Sequence, residues 1–287
     1  MNTAYFLLGC TIIVTLFCKE RKPTYLLIII TNLAAWYQGL IHTIGLALLV
    51  LFTSAGYIYL HWPLNQFVKR LLPVMLCAFI IATALHCLPG FLSVLVVNQV
   101  KISPLSIPFS IYLNFDQPMV ILILYAMRDR YWSDKNHSLS YQKLIQYTLL
   151  PYLCAIPLVF MPAYLSGHIV LEPHLPDIIW VWAMHNFFLV CMGEEIIFRG
   201  CVQNALQNGL KKYSSKSGLL AIIITSALFG MTHFKGGLTY VGLATMASCL
   251  YGYTYYQTGS IVCSMIVHFG LNLLHILLFT YPMAIAT

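Results

Sequence analysis

Charge is what this sequence has least of. Of 287 residues only 8% are Asp, Glu, Lys or Arg, whereas 60% are hydrophobic, and the mean hydropathy is +0.81. A soluble domain carries about 25% charged residues, so these few groups cannot cover a water-facing surface. The nine cysteines include no CxxC and no other paired-ligand spacing. They sit inside or beside apolar runs and read as small hydrophobes. There is no HExxH, no internal repeat and no low-complexity segment. The net charge of +7 lies in short clusters between apolar runs, with no basic groove interleaved with aromatics. These absences exclude a soluble enzyme, a disordered chain, a disulfide-stapled secreted domain and a nucleic-acid binder. The lipid bilayer is the partner they leave.

Apolar sequence of membrane-spanning length recurs from one end to the other, which predicts an all-α polytopic membrane protein. The first run, about Asn2 to Cys18, lacks both a basic residue ahead of it and a small-residue cleavage site, so it reads as a retained span. Thr24 to Leu60 as one helix would be about 55 Å long, well beyond a hydrocarbon core of about 30 Å. A break near Gln38-Gly39 divides it in two. Further spans are expected at about Leu71–Val97 (kinked or ended by Pro89-Gly90), Pro108–Met127, Leu144–Leu165, Ile178–Asn208, Gly218–Phe234, Leu238–Gln257 and Ile261–Thr280. That makes about ten transmembrane helices. With the N-terminus outside, 12 of the 15 basic residues fall in cytoplasmic loops, including Lys19, Arg130 and Lys135. The positive-inside rule thus places both termini on the non-cytoplasmic side. Residues 1–177 form an N-terminal transmembrane region of about six spans with no assignable role. Residues 178–280 form a core of about four spans, and 281–287 a short tail.

Ionisable groups inside spans are costly, so each needs a reason. Glu194, Glu195 and Arg199 lie on a helix otherwise built of Ile, Trp, Phe, Leu and Val. Glu195 and Arg199 are four apart and can pair on one face, while Glu194 projects about 100° away. A buried pair alone would leave the second glutamate unexplained. His233 ends the next apolar run, and His268 and Asn272, again four apart, share a face of the last span. Taken singly, each reads as readily as packing or interhelical hydrogen-bonding. Measured from the cytoplasmic ends of their spans, Glu194 and His233 lie at depths of about 21 and 22 Å, and Asn272 and His268 at about 17 and 11 Å. A carboxylate, an imidazole and a His/Asn pair near one depth can supply a base for water, a partner to orient it and donors for an oxyanion. His185-Asn186, on the same span as Glu194, reads as packing or access-channel lining.

Three stretches in order, Glu194-Glu195-Ile-Ile-Phe-Arg199-Gly, Leu228-Phe229-Gly-Met-Thr-His233, and Tyr256-Gln-Thr-Gly-Ser-Ile followed by His268-Phe-Gly-Leu-Asn272, resemble the CPBP (CAAX-processing and bacteriocin-processing, or ABI) intramembrane protease family, to which type II CAAX prenyl endopeptidases belong. The likeness covers about Ile178 to Thr280. It implies an intramembrane endopeptidase acting on a membrane-associated or lipid-modified protein or peptide precursor. Glu194 would be the general base assisted by His233, with His268 and Asn272 donating to the oxyanion or helping to position the water, and Glu195 and Arg199 in support. No cofactor is required on that reading. The same activity could instead rest on zinc held by Glu194, His233 and His268. Two different functions also accommodate these residues: a proton-coupled transporter using the buried Glu, His and Arg, and a non-catalytic immunity or scaffold protein. The expected location is a bacterial plasma membrane rather than the endoplasmic reticulum.

Overall fold

The computed structural model describes residues 3–18, 20–128 and 139–285, so Lys19, Arg130 and Lys135 lie outside the described residues. The helices are α1 (Thr3–Phe17), α2 (Arg21–Tyr37), α3 (Thr43–His61), α4 (Gln66–Ala84), α5 (Asp116–Ala126), α6 (Tyr141–Leu165), α7 (Ile179–Leu210), α8 (Ser217–Thr232), α9 (Gly237–Thr258) and α10 (Ile261–Leu278). Strands β1 (Val94–Val100) and β2 (Phe109–Leu113) form a two-stranded sheet between α4 and α5. The chain is an integral membrane protein. Among the described residues five helices (α3, α4, α6, α7 and α10) are long and apolar enough to cross a bilayer, or six spans if the bent pair α8 and α9 counts as one; α1 and α5 are apolar but shorter. The count of about ten spans is therefore not reached by helix length.

Two of the expected spans need correction. Leu71–Val97 stops being helical at Ala84, and Pro108–Met127 divides into β2 and the 11-residue α5. The reason is local chemistry: Val94-Leu-Val-Val is rich in β-branched residues and follows Pro89-Gly90, which favours extended backbone. A hydropathy window cannot distinguish such a strand from the end of a membrane helix. The break between α2 and α3 does fall at Gln38-Gly39.

The described residues cluster into two compact units, one within Met1–Val96 and Tyr112–Tyr131, the other within Val97–Ile111 and Trp132–Thr287. In the first, His86 follows α4 with φ at +51°. Its Nδ1 lies 3.0 Å from the buried carboxylate of Asp116, at the start of α5. In the second, α6 packs against α9 and α10, while α8 and α9 run back along each other. Gly230 permits that approach, because a Cβ there would meet Thr245 Oγ1 and the Val241 carbonyl. Small residues at such a contact let membrane helices close. The Thr258-Gly259-Ser260 turn joins α9 to α10. Gly259 ends α9 at φ +64°, and the Ser260 hydroxyl caps α10 by accepting from the Cys263 amide; both are the residue types such ends favour.

Helix α7 separates the loop after α6 from the loop before α8. Single cysteines placed at Ser166 and Ser214 in a cysteine-free background should therefore label from opposite faces of the membrane. Labelling of both from one face would refute a spanning α7.

Candidate active site

The site is built on α7, whose turns are not uniform. Asn186–Cys191 and Ile196–Gln203 are π-helical, and a single α-helical turn, Met192–Glu195, lies between them. Such π segments, one residue wider per turn, recur at functional positions in helices. Here they flank the two glutamates.

The two carboxylates face different surroundings. Glu195 and Arg199 are both fully buried, with Arg199 Nε 3.0 Å from Glu195 Oε2. The Ser264 hydroxyl donates to the same oxygen. His268 Nδ1 lies 2.9 Å from Oε1; since a carboxylate only accepts, that ring nitrogen carries the proton. Arg199 in turn donates to Ser248 Oγ at 2.8 Å. Its guanidinium carbon lies 5.7 Å from the centre of the Phe229 ring and 5.9 Å from that of Tyr251. Glu195 thus has both oxygens filled by groups from α7 and α10.

Glu194 keeps a quarter of its side chain exposed, and its Oε2 lies 3.6 Å from His268 Nε2. His268 therefore stands between the two glutamates, anchored through one nitrogen and facing Glu194 with the other. Tyr251 stacks on its ring at 4.3 Å and 14°, which fixes the plane. Glu194, His233, His268 and Asn272 all line one cavity of about 160 Å³, room for several waters. Asn272 Nδ2 donates to Asn186 Oδ1 at 3.2 Å, and Asn186 itself lines the same cavity. His233 caps the end of α8 with Nδ1 3.0 Å from the Phe229 carbonyl; the carbonyl must accept, which leaves a lone pair on Nε2.

The structure thus brings all four cavity-facing residues singled out in the sequence together, and sets Glu195 and Arg199 behind them. The histidine within 4 Å of Glu194 is His268 rather than His233. Sequence reasoning missed Ser264, although it lies four residues before His268 on the same face, the spacing that links His268 to Asn272. It also missed Ser248 and Tyr251, which have no local signature. Zinc would need Glu194, His233 and His268 around one ion. Both imidazoles direct Nδ1 to an oxygen acceptor, the arrangement that leaves Nε2 as the atom a metal would take, but among the described residues no three His, Cys, Asp or Glu side chains stand close enough together to hold an ion.

A carboxylate open to the cavity thus faces an anchored imidazole in a pocket lined by both polar and apolar side chains. Residues 176–274 match the family model described as type II CAAX prenyl endopeptidase Rce1-like. This stretch is therefore similar to a family of CAAX-type proteases. No curated protein and no solved structure matches the chain.

Proposed function

We propose that the chain is an intramembrane endopeptidase that hydrolyses a peptide bond of a membrane-associated or lipid-modified precursor through a glutamate-activated water. The observation that supports this most is the division of labour between adjacent carboxylates. Glu195 is neutralised by Arg199 and saturated with hydrogen bonds, whereas Glu194 is left open to the cavity beside His268. Glu194 takes a proton from water as the hydroxide attacks the scissile carbonyl, then returns it to the leaving amine. The His233 Nε2 lone pair orients that water. His268 Nε2, when it carries a proton, and the Asn272 amide are the donors for the carbonyl oxygen. Asn186 and Glu195 hold those two donors in place. The protein works in a bacterial plasma membrane with both termini outside, an orientation supported by the basic-loop pattern.

The test uses purified full-length protein and two fluorogenic peptides of one sequence, with and without an S-farnesylated cysteine in a CAAX end. Cleavage of either at one bond supports the peptidase; preference between them reports whether the substrate is prenylated. Folded protein that cleaves neither would overturn the reading. Asn272→Ala should lower the rate by about 10²–10³-fold, the usual effect of deleting one oxyanion donor. Activity should survive prolonged chelation. Stoichiometric zinc that disappears with activity in both His233→Ala and His268→Ala would replace this mechanism with the metal one.

A further inference from the structure

The catalytic cavity has walls that the hydrolytic chemistry does not use. His168, between α6 and α7, and Tyr281, after α10, line it together with Glu194. Both lie outside the matched residues 176–274. Backbone pairing mounts them rigidly: Thr280 N–H donates to the Val170 carbonyl and Glu172 N–H to that of Leu278, while Ala284 N–H donates to the His168 carbonyl. Leu171 and Phe279 form an antiparallel bridge between the same two segments. The stretch after α10 is therefore part of the cavity wall rather than a detached tail.

Each of the two side chains holds an unused hydrogen-bonding atom. Trp182, almost fully buried, places its indole nitrogen 3.1 Å from the Tyr281 oxygen. An indole N–H can only donate, so the Tyr281 oxygen accepts and its own O–H needs another acceptor. Among the described residues none is in range. The rings of Phe109, Trp182 and His275 enclose Tyr281 at centroid distances of 5.3, 5.7 and 5.1 Å, all near edge-on. Burial pushes its phenol up, so the hydroxyl stays a donor. His168 stacks on Tyr240 at 5.4 Å and 18°, and its Nε2 is buried with no hydrogen-bond partner. Burial lowers the pKa of this imidazole, which favours a neutral ring, and with the ring proton on Nδ1 its Nε2 accepts. Buried polar atoms without partners are uncommon and call for an explanation. A donor and an acceptor on one wall of a peptidase cavity are complementary to the C=O and N–H of an extended peptide.

We infer that Tyr281 and His168 form a substrate-binding subsite, in which the Tyr281 hydroxyl donates to a main-chain carbonyl oxygen of the peptide and His168 Nε2 accepts from a main-chain amide. The inference rests on the peptidase reading and assigns part of substrate recognition to residues outside the matched stretch 176–274. Trp182 acts as a positioning residue, by directing the Tyr281 proton toward the cavity.

The test is steady-state kinetics on the two peptides with Tyr281→Phe, His168→Phe and Trp182→Phe, each checked for an unchanged melting temperature. His168→Phe keeps an aromatic ring beside Tyr240 and removes both ring nitrogens, so it stands even if loss of the Trp182 acceptor unfolds Tyr281→Phe. KM should rise about 3- to 10-fold in Tyr281→Phe and in His168→Phe, the worth of one neutral hydrogen bond, with kcat within about twofold. Trp182→Phe should move KM in the same direction by less. Wild type that cleaves while folded Tyr281→Phe and His168→Phe keep its KM would overturn the subsite and leave the peptidase standing. Wild type that neither cleaves nor binds the peptides would overturn both.

Discussion

Glu194→Gln should reduce peptide cleavage by about 10²-fold or more while the protein folds and purifies like wild type. Glutamine has the shape of glutamate but cannot take a proton from water. Among the described residues the one ionisable side chain paired with Glu194 is His268, at 3.6 Å, and a quarter of the glutamate side chain meets solvent, so its loss should leave the fold intact. The effect should therefore appear in kcat, with melting temperature and peptide affinity nearly unchanged. Normal cleavage by this variant would discard the glutamate mechanism. An equal fall in folding yield would instead mean that Glu194 is structural.

Arg199→Ala should behave in the opposite way, with loss of folded protein as the primary effect. The Glu195–Arg199 pair is fully buried, and removing one partner of such a pair costs about 3–5 kcal/mol because the other charge is left uncompensated. Activity should fall as well, since His268 is oriented through Glu195. Glu195→Gln keeps hydrogen-bonding capacity toward Ser264 and His268 but leaves the guanidinium unpaired, so it should also lower thermal stability. The double change Glu195→Gln with Arg199→Met removes both charges and should be less destabilised than the sum of the two single changes. Strict additivity, measured by thermal unfolding in one detergent, would show that the pair is not coupled.

The two glutamates also differ in how far their partners could be read from the sequence. Glu195 and Arg199 meet because they are one helical turn apart, and the Thr258-Gly259-Ser260 turn carries its own stop and start signals. Both can be read from spacing alone. The contacts that complete the site cross the fold: His268 reaches Glu195 over 73 positions, and Asn272 reaches Asn186 over 86. No periodicity encodes such pairings. Apolar composition identified a membrane protein but not how much of it is spanning helix, because Val94–Val97 and the apolar end of the short α5 lie in runs that a hydropathy window reads as spans. Tyr281 was hidden for a different reason. It lies beyond the last apolar run, where sequence alone suggested only a tail, and only the backbone pairing with 168–172 brings it to the cavity.

The π segments of α7 put slack into one helix. A π turn holds one residue more than the α turn it replaces, so deleting one residue from Phe187–Val190 would let the helix close up as ordinary α. The two halves would then keep their mutual phase, because the turn that loses a residue is the one that held it in surplus; the same deletion from a regular α turn would rotate one half by about 100° and shift it by about 1.5 Å against the other. Trp182 and Asn186 would stay directed at Tyr281 and Asn272, and Glu194, Glu195 and Arg199 at Ser264 and His268. The surplus residue works as a spare link: this helix can lose a residue beside its carboxylates and still present both of its working faces.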